Sequence, residues 1–325
     1  MSYYDRDDDR EPPLPKPYGF VALPTDRPAL CTPAGHDRYG DGLFSGELRA
    51  TIIARSPIHV ASGLLEPRPR DRENPLVKAL FRTNGRPAIP GTSLKGCIRS
   101  IVEAISPSAV TMKTTAPVPA HLQGWKTKAG ADLDVTQRLF GMLGYQGNVT
   151  FADARLCEGH PVTIVRSVQL HQPAKKSTRP YFLDNGLLKG RKFYMHGALA
   201  MGNLPLEVIA EGGSLDLLAH FDNLTAGELG LLLIGLGLGE PRLWPKLGGA
   251  KPACLGTIEV SAPTLTIFSP HAGYADFAVE SQPVALAPFV AAAHTEELIL
   301  DQQLTDLAAI LRWPREDRRC PDRNY

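Results

Sequence analysis

The sequence predicts an α+β fold in the order strand, helix, strand, strand pair, helix, strand, a βαββαβ plan with long insertions. Three observations predict it. Gly46–Val60 alternates apolar and polar positions and is rich in β-branched side chains, as a half-buried strand is. In Thr92–Ile105, the residues Leu94, Ile98, Ile101 and Ile105 recur at helical spacing, which gives a helix with one buried face. Thr225–Leu238 opens on Thr225 with Glu228 three residues later, the signature of a capping box.

The chain has 325 residues, 43% of them hydrophobic, ample for a core. A formal net charge of +1 is uninformative, because local patches rather than the sum govern binding to polyanions. With 30 glycines and 29 prolines, many loops are expected. The five cysteines (Cys31, Cys97, Cys157, Cys254 and Cys320) are far apart and form no CxxC. They read as free thiols in a reducing compartment, and a zinc site is not indicated. No apolar run approaches membrane-spanning length and no signal peptide opens the chain, so a soluble, cytoplasmic protein without a membrane partner is expected.

Residues 1–16 are charged and proline-rich and read as a disordered extension; a single domain then spans 17–325. After the first strand, 61–85 reads as a long loop carrying Arg68, Arg70, Arg72 and Lys78 beside Asp71 and Glu73. Loops of this length in a compact domain are functional or disordered. The first helix takes Thr92 or Ser93 as N-cap. Residues 106–133 form a polar insertion, 134–143 a helix and 147–157 a strand. The insertion at 166–191 mixes Lys175, Lys176 and Arg179 with Tyr181 and Phe182. Cations interleaved with aromatic rings suit single-stranded RNA; a hairpin anchored by its aromatics fits the composition equally. The stretch LEVIAEGGSLDLLAHF reads as a hairpin around Gly212-Gly213, Gly256–Phe268 as the closing strand, and Glu296–Leu311 as a C-terminal helix. The whole is a ferredoxin-like, or RRM-like, order.

The chemistry concentrates in Arg86–Ser106. A helix start offers backbone N–H groups, two hydroxyls, and Lys95 and Arg99 one turn apart, a site for a chain of phosphates. Taken alone, the same two cations read rather as an ordinary solvated face. Gly91 and Gly96 mimic a P-loop, but Cys97-Ile98 stand where Lys and Ser/Thr are required. A GxSxG nucleophile elbow is absent. Later, Gly235, Gly237 and Gly239 follow a helix and precede a strand, the reverse of a dinucleotide fingerprint. Glycines in this region would let backbone amides approach phosphates, and Lys246 and Lys251 add charge.

The segment IPGTSLKGCIRS resembles the IPG-S-S-L-K-G-x-x-R-S motif of the RAMP family, the repeat-associated proteins of CRISPR systems. Three more segments resemble the family in the same order: Arg138–Gly141 (RLFG), Gly147–Leu156 (GNVTFADARL) and Pro245–Val260 (PKLGGAKPACLGTIEV). The resemblance implies a ferredoxin-like fold and binding of guide (CRISPR) RNA. The motif layout is closest to the backbone subunits of type III antiviral effector complexes, whose partners are target RNA, other RAMP subunits, and large and small subunits. RNA contact is expected from Ser93, Lys95, Arg99, Lys246, Gly248, Gly249 and Lys251, and secondarily from Lys175, Lys176, Arg179, Tyr181 and Phe182. In those backbone subunits, an Asp in a D-N-P-V-like context before the IPG motif cuts target RNA. Here the context is Glu73-Asn74-Pro75-Leu76-Val77, with Asp71 two residues earlier, so Asp71 and Glu73 are the candidate catalytic carboxylates and Mg2+ the cofactor such cleavage would use. Two other roles stay open: a non-catalytic scaffold, and a metal-independent ribonuclease processing guide RNA through a histidine, with His59 and His196 the nearest candidates.

Overall fold

A computed structural model describes residues 17–111, 113–128, 130–170, 179–268 and 283–321. In chain order the elements are β1 (Tyr18–Val21), β2 (Phe44–Ala54), β3 (Ala61–Pro67), β4 (Leu76–Leu80), β5 (Arg82–Thr83), β6 (Arg86–Ile89) and α1 (Gly91–Ile105). Then come α2 (Val135–Phe140), β7 (Val149–Phe151), β8 (Ala154–Arg155), β9 (Val162–Ser167), β10 (Arg191–Tyr194), β11 (Leu204–Ile209) and β12 (Ser214–Leu224). The chain continues through α3 (Ala226–Gly235), β13 (Ile258–Ile267), β14 (Pro283–Val284), α4 (Ala287–Thr295) and α5 (Asp301–Ile310).

The central sheet has the order β14-β13-β2-β12-β7, with every neighbouring pair antiparallel. Its middle strand, β2, buries Leu48, Ala50, Ile52 and Ala54, the alternation that its sequence announces. α1 buries Leu94, Ile98, Ile101 and Ile105 into the same core. α3 packs on α1 through Gly235, where an added Cβ would come within 2.6 Å of Val102. The capping box of α3 is present: Thr225 accepts from the Glu228 amide and Glu228 from the Thr225 amide. Glu296 reaches back to accept from the Gly227 amide at 2.8 Å, so this helix start is capped twice.

A second sheet, β3-β4-β11-β9, joins a projecting hairpin to the body of the molecule. It corrects two expectations. The segment 61–85 is a β3–β4 hairpin, joined through residues 68–75 and followed by β5, not one long loop; its irregular register between Ala61 and Leu65 and its exposed Leu64 and Leu65 hide the alternation that marks a strand. The turn at Gly212-Gly213 joins no hairpin either. β11 pairs with β4 and β9, while β12 pairs with β2 and β7, so the turn hands the chain from one sheet to the other.

The C-terminal helix is shorter than the predicted Glu296–Leu311 and begins five residues later. α4 precedes it, and α5 starts at Asp301, because the Leu300 amide is drawn to the Ile105 carbonyl at 2.7 Å. Cys254 and Cys320 are not free thiols but form a disulfide, with Cα atoms 5.8 Å apart, in a small apolar cluster with Ala253 and Leu255. A separation of 66 residues gives the sequence no means to announce it. Cys31, Cys97 and Cys157 are free. Residues 1–16 lie outside the described residues, and no described helix is long and apolar enough to cross a membrane.

Candidate nucleic-acid interface

The start of α1 is built differently from the expectation. Neither Thr92 nor Ser93 is the N-cap; the helix begins at Gly91, after Pro90, without a local side-chain cap. Asp153 supplies the cap from the turn after β7: its Oδ1 accepts from the Gly91 amide at 2.9 Å and its Oδ2 from Thr83 Oγ1 at 2.7 Å. These bonds, Thr83 first, hold the Asp153 carboxyl below the usual range. Gly91 is required because a Cβ would lie 2.0 Å from the Phe151 carbonyl oxygen. The positive end of the helix dipole thus already faces a carboxylate. Any anion site here has to come from side chains and neighbouring loops.

Two clefts flank α1. The first, about 640 Å³, brings together Ser93, Cys97 and Ser100 of α1, the glycine loop at Lys246, Gly248, Gly249 and Lys251, and Arg191–Tyr194 of β10. The helix start and the late glycine loop therefore meet in space. The loop's glycines serve the protein's own packing. Gly248 has φ +90°, and a Cβ there would approach the His59 carbonyl oxygen to 2.5 Å. The Gly249 amide already donates to that carbonyl at 2.7 Å, so it is not the free phosphate donor that the sequence suggested. Lys246 lines the same cleft, 6% exposed, and its Nζ has no partner among the described residues. Burial, reinforced by Lys251, brings it down to about 7. Lys192 stands within 5 Å of three tyrosine rings: 4.7 Å from Tyr18, 4.9 Å from Tyr181 and 4.7 Å from Tyr194. Burial and the neighbouring tyrosines push the Tyr18 phenol up to about 12. Burial likewise raises the Cys97 thiol to about 11, so it is no nucleophile.

Lys95 and Arg99 do not share that cleft. They line a second one, about 600 Å³, with Trp125, Phe140 and Tyr145. Lys95 Nζ donates to the Val149 carbonyl at 2.7 Å, and burial, with Arg99 adding repulsion, lowers its pKa. Arg99 pairs with Glu103 at 3.0 Å, while its Nη2 is buried without a partner among the described residues. Glu103 also pairs with Arg191 at 3.3 Å, so one carboxylate links a cation of each cleft. Thr92, Gly96 and Ser100 form the exposed ridge of α1 between them, and nothing lies within 4 Å of where a Gly96 Cβ would stand.

The candidate catalytic carboxylates sit in the turn of the β3–β4 hairpin, away from both clefts' linings. Asp71 is occupied by its own turn: Oδ1 accepts from the Asn74 amide at 2.9 Å and the Glu73 amide at 3.1 Å. These bonds, the Asn74 amide first, lower its pKa. Glu73 is exposed, and its carbonyl accepts from Arg166 at 2.6 Å. Among the described residues, no group of three or more His, Cys, Asp or Glu side chains could hold a metal ion. Behind the turn, Glu207 is buried and accepts from Arg68 at 2.8 Å, Arg82 at 2.7 Å and the Leu80 amide at 2.9 Å.

The two histidines are structural. His59 bonds through Nδ1 to the Glu207 carbonyl at 2.7 Å. His196 lies between Thr257 Oγ1 at 2.8 Å and the Trp244 carbonyl at 3.0 Å, and burial lowers it to about 3. Burial lowers His59 as well.

A family model described as RAMP superfamily matches residues 51–252, a span holding α1, both clefts' α1 faces, the β3–β4 hairpin and most of the glycine loop. The chain belongs to the RAMP superfamily. RAMP proteins are in general CRISPR-associated and RNA-binding. No curated protein matches the chain.

The other RAMP-like segments have visible purposes in this fold. Arg138 of RLFG donates to Glu228 at 2.7 Å and to the Leu133 carbonyl at 2.8 Å, pinning α2 to α3. Gly141 of the same segment turns at φ +85°, with a Cβ that would meet the Gly147 amide at 2.7 Å. Asp153 of GNVTFADARL is the remote cap of α1. Of the secondary RAMP site residues, Tyr181 belongs to the cluster around Lys192, Arg179 is exposed, and the Phe182 amide donates to the Arg179 carbonyl. Lys175 and Lys176 lie outside the described residues. Sequence reasoning missed Arg191 and Lys192 as cleft residues, although the aromatic-basic composition beside them was the available signal. It also missed Trp125 and Tyr145, which only tertiary packing brings to Lys95.

Proposed function

We propose that this chain is a guide-RNA-binding backbone subunit of a type III CRISPR effector complex, working beside other RAMP subunits, with single-stranded RNA lying across α1. The carrying observation is the meeting of α1, the glycine loop and β10 in one cation-lined cleft, with a second basic and aromatic cleft on the other side of the same helix. A strand of RNA crossing the ridge at Gly96 would set phosphates beside Lys251 and Lys192 on one side and Lys95 and Arg99 on the other. Trp125 and Tyr145 offer rings for stacking. The strand order β13-β2-β12-β7, with α1 and α3 as the intervening helices, supports reading the core as ferredoxin-like.

The test treats the clefts separately. Lys251→Ala, and the pair Lys95→Ala with Arg99→Ala, are each expected to weaken guide binding. Each should also flatten its salt dependence by roughly 0.7 in log–log slope for every phosphate that is no longer neutralised. Fluorescence anisotropy against salt concentration measures this. Unchanged binding in both variants would remove the proposal.

The reading extends to target RNA cleavage from the hairpin turn. Because Asp71 is spent on holding the turn, Glu73 is the carboxylate left to act on the 2′-OH nucleophile that RNA itself provides. Glu73→Ala in the assembled complex is expected to slow cutting by about a hundredfold, the usual scale for removal of a general base, assayed with and without magnesium. Asp71→Ala should act through disorder of the turn and show increased proteolysis there. If neither variant alters cutting, the subunit is a scaffold.

A further inference from the structure

A buried ammonium ordinarily has a partner, and Lys246 has none among the described residues. Its Nζ is out of solvent and unbonded, and Lys246 is among the residues that line the first cleft. The titratable and charged groups around it come from each element packed there, and none is a spare carboxylate. Lys251 lies in its own loop, and Arg191 and Lys192 come from β10. From α1, the Cys97 Sγ approaches the Lys246 carbonyl to 3.5 Å. His196 beside it is held neutral by burial. Glu103, the one carboxylate among the described residues lining the cleft, is bound to Arg99 and Arg191. The cleft therefore offers a donor with no acceptor, rimmed by positive charge.

We infer that Lys246 forms a single-phosphate subsite that gains a proton as it fills: one non-bridging oxygen of a bound RNA phosphodiester accepts from Nζ, and solvent supplies the proton. The inference rests on the reading of this cleft as an RNA groove and deepens it. In the free protein, burial and Lys251 favour the uncharged amine, with a pKa of about 7. An oxyanion at hydrogen-bonding distance reverses that preference, because it stabilises only the charged form. Binding and protonation are then linked, and affinity falls as pH rises.

The experiment is anisotropy titration of the full chain with a labelled single-stranded oligoribonucleotide, at fixed salt, from about pH 6 to about pH 9, the range in which this amine titrates. Wild-type affinity is expected to weaken by up to roughly tenfold per pH unit above about 7. Lys246→Met should bind more weakly at the acid end, show a flat profile and converge with wild type at the alkaline end. Lys246→Arg should be flat and tight, since a guanidinium does not titrate in this range. Lys246→Met should melt at or above wild type without RNA, because it removes an unpaired buried amine. A flat wild-type profile, or an unchanged slope in Lys246→Met, overturns the inference. Lys251→Ala separates the two levels: no effect at any pH defeats the RNA groove itself. Weakened binding beside a flat wild-type profile defeats the Lys246 subsite alone.

Discussion

Glu207→Ala is expected to cost about 3 kcal/mol of stability, the lower end of what removing one partner from a buried ion-pair network costs. The Glu207 side chain is 2% exposed and faces two guanidiniums and an amide. Truncation leaves the Leu80 amide unsatisfied and two arginines pressed together, with Arg68 and Arg82 at 35% and 30% exposure partly relieved by water. Burial alone would raise the Glu207 pKa, but the Arg82 hydrogen bonds and the Leu80 amide outweigh it and hold the carboxyl low. With the folded value depressed, the stabilisation is fully present above the unfolded glutamate value of about 4.3 and is lost as pH falls through the folded one. Urea unfolding as a function of pH should show the wild type and Glu207→Ala converging in acid. An undiminished gap there would mean the cost comes from packing instead of charge. Since Arg68 enters the turn that holds Asp71 and Glu73, the variant should also raise proteolysis between residues 68 and 75.

Gly248→Ala should disrupt the first cleft, whereas Gly249→Ala should be nearly silent. At Gly248 the positive φ alone costs a side-chain-bearing residue about 1–3 kcal/mol. The added Cβ would also stand 2.5 Å from a backbone oxygen that cannot swing away. The loop has to lift from His59, which breaks the Gly249–His59 hydrogen bond and displaces Lys246 and Lys251. RNA affinity is expected to fall at least about tenfold, equivalent to roughly 1.4 kcal/mol. At Gly249 the nearest atom to a Cβ is His59 Cδ2 at 3.4 Å, ordinary van der Waals separation. Equal effects from the two substitutions, read by thermal melting and RNA titration, would refute the assignment of Gly248 to backbone packing.

These two glycines show where the sequence is readable and where it is not. Periodicity finds α1 and β2 because each buries one regular face, whereas α3, buried almost all round, is announced by the local chemistry of the Thr225–Glu228 box. The glycine loop was visible as a motif, but its purpose was not. The carbonyl that makes Gly248 necessary belongs to His59, far away in sequence. The same holds for the cap of α1. Nothing in Pro90–Ser93 reveals that Asp153 will satisfy Gly91, so the helix start looked open to anions when it is closed. The RAMP-like motifs group Lys95 and Arg99 with Lys246 and Lys251 as RNA-contacting cations. Helical geometry turns them to the opposite flank of α1, and only tertiary structure shows which cleft each enters. Cys254 and Cys320 read as free thiols for the same reason: only the fold brings them together.

The central position of β2 has a consequence for biosynthesis. Both neighbours of this early strand, β12 and β13, arrive only after residue 213. A nascent chain emerging from the ribosome therefore carries Phe44–Ala54 with two unmatched edges, and with Leu48 and Ile52 uncovered, through most of its translation. Pairings so distant along the chain form slowly, and such waiting strands are prone to associate with one another. Slower elongation, or a chaperone engaged before β13 emerges, should govern how much of this protein reaches its native form.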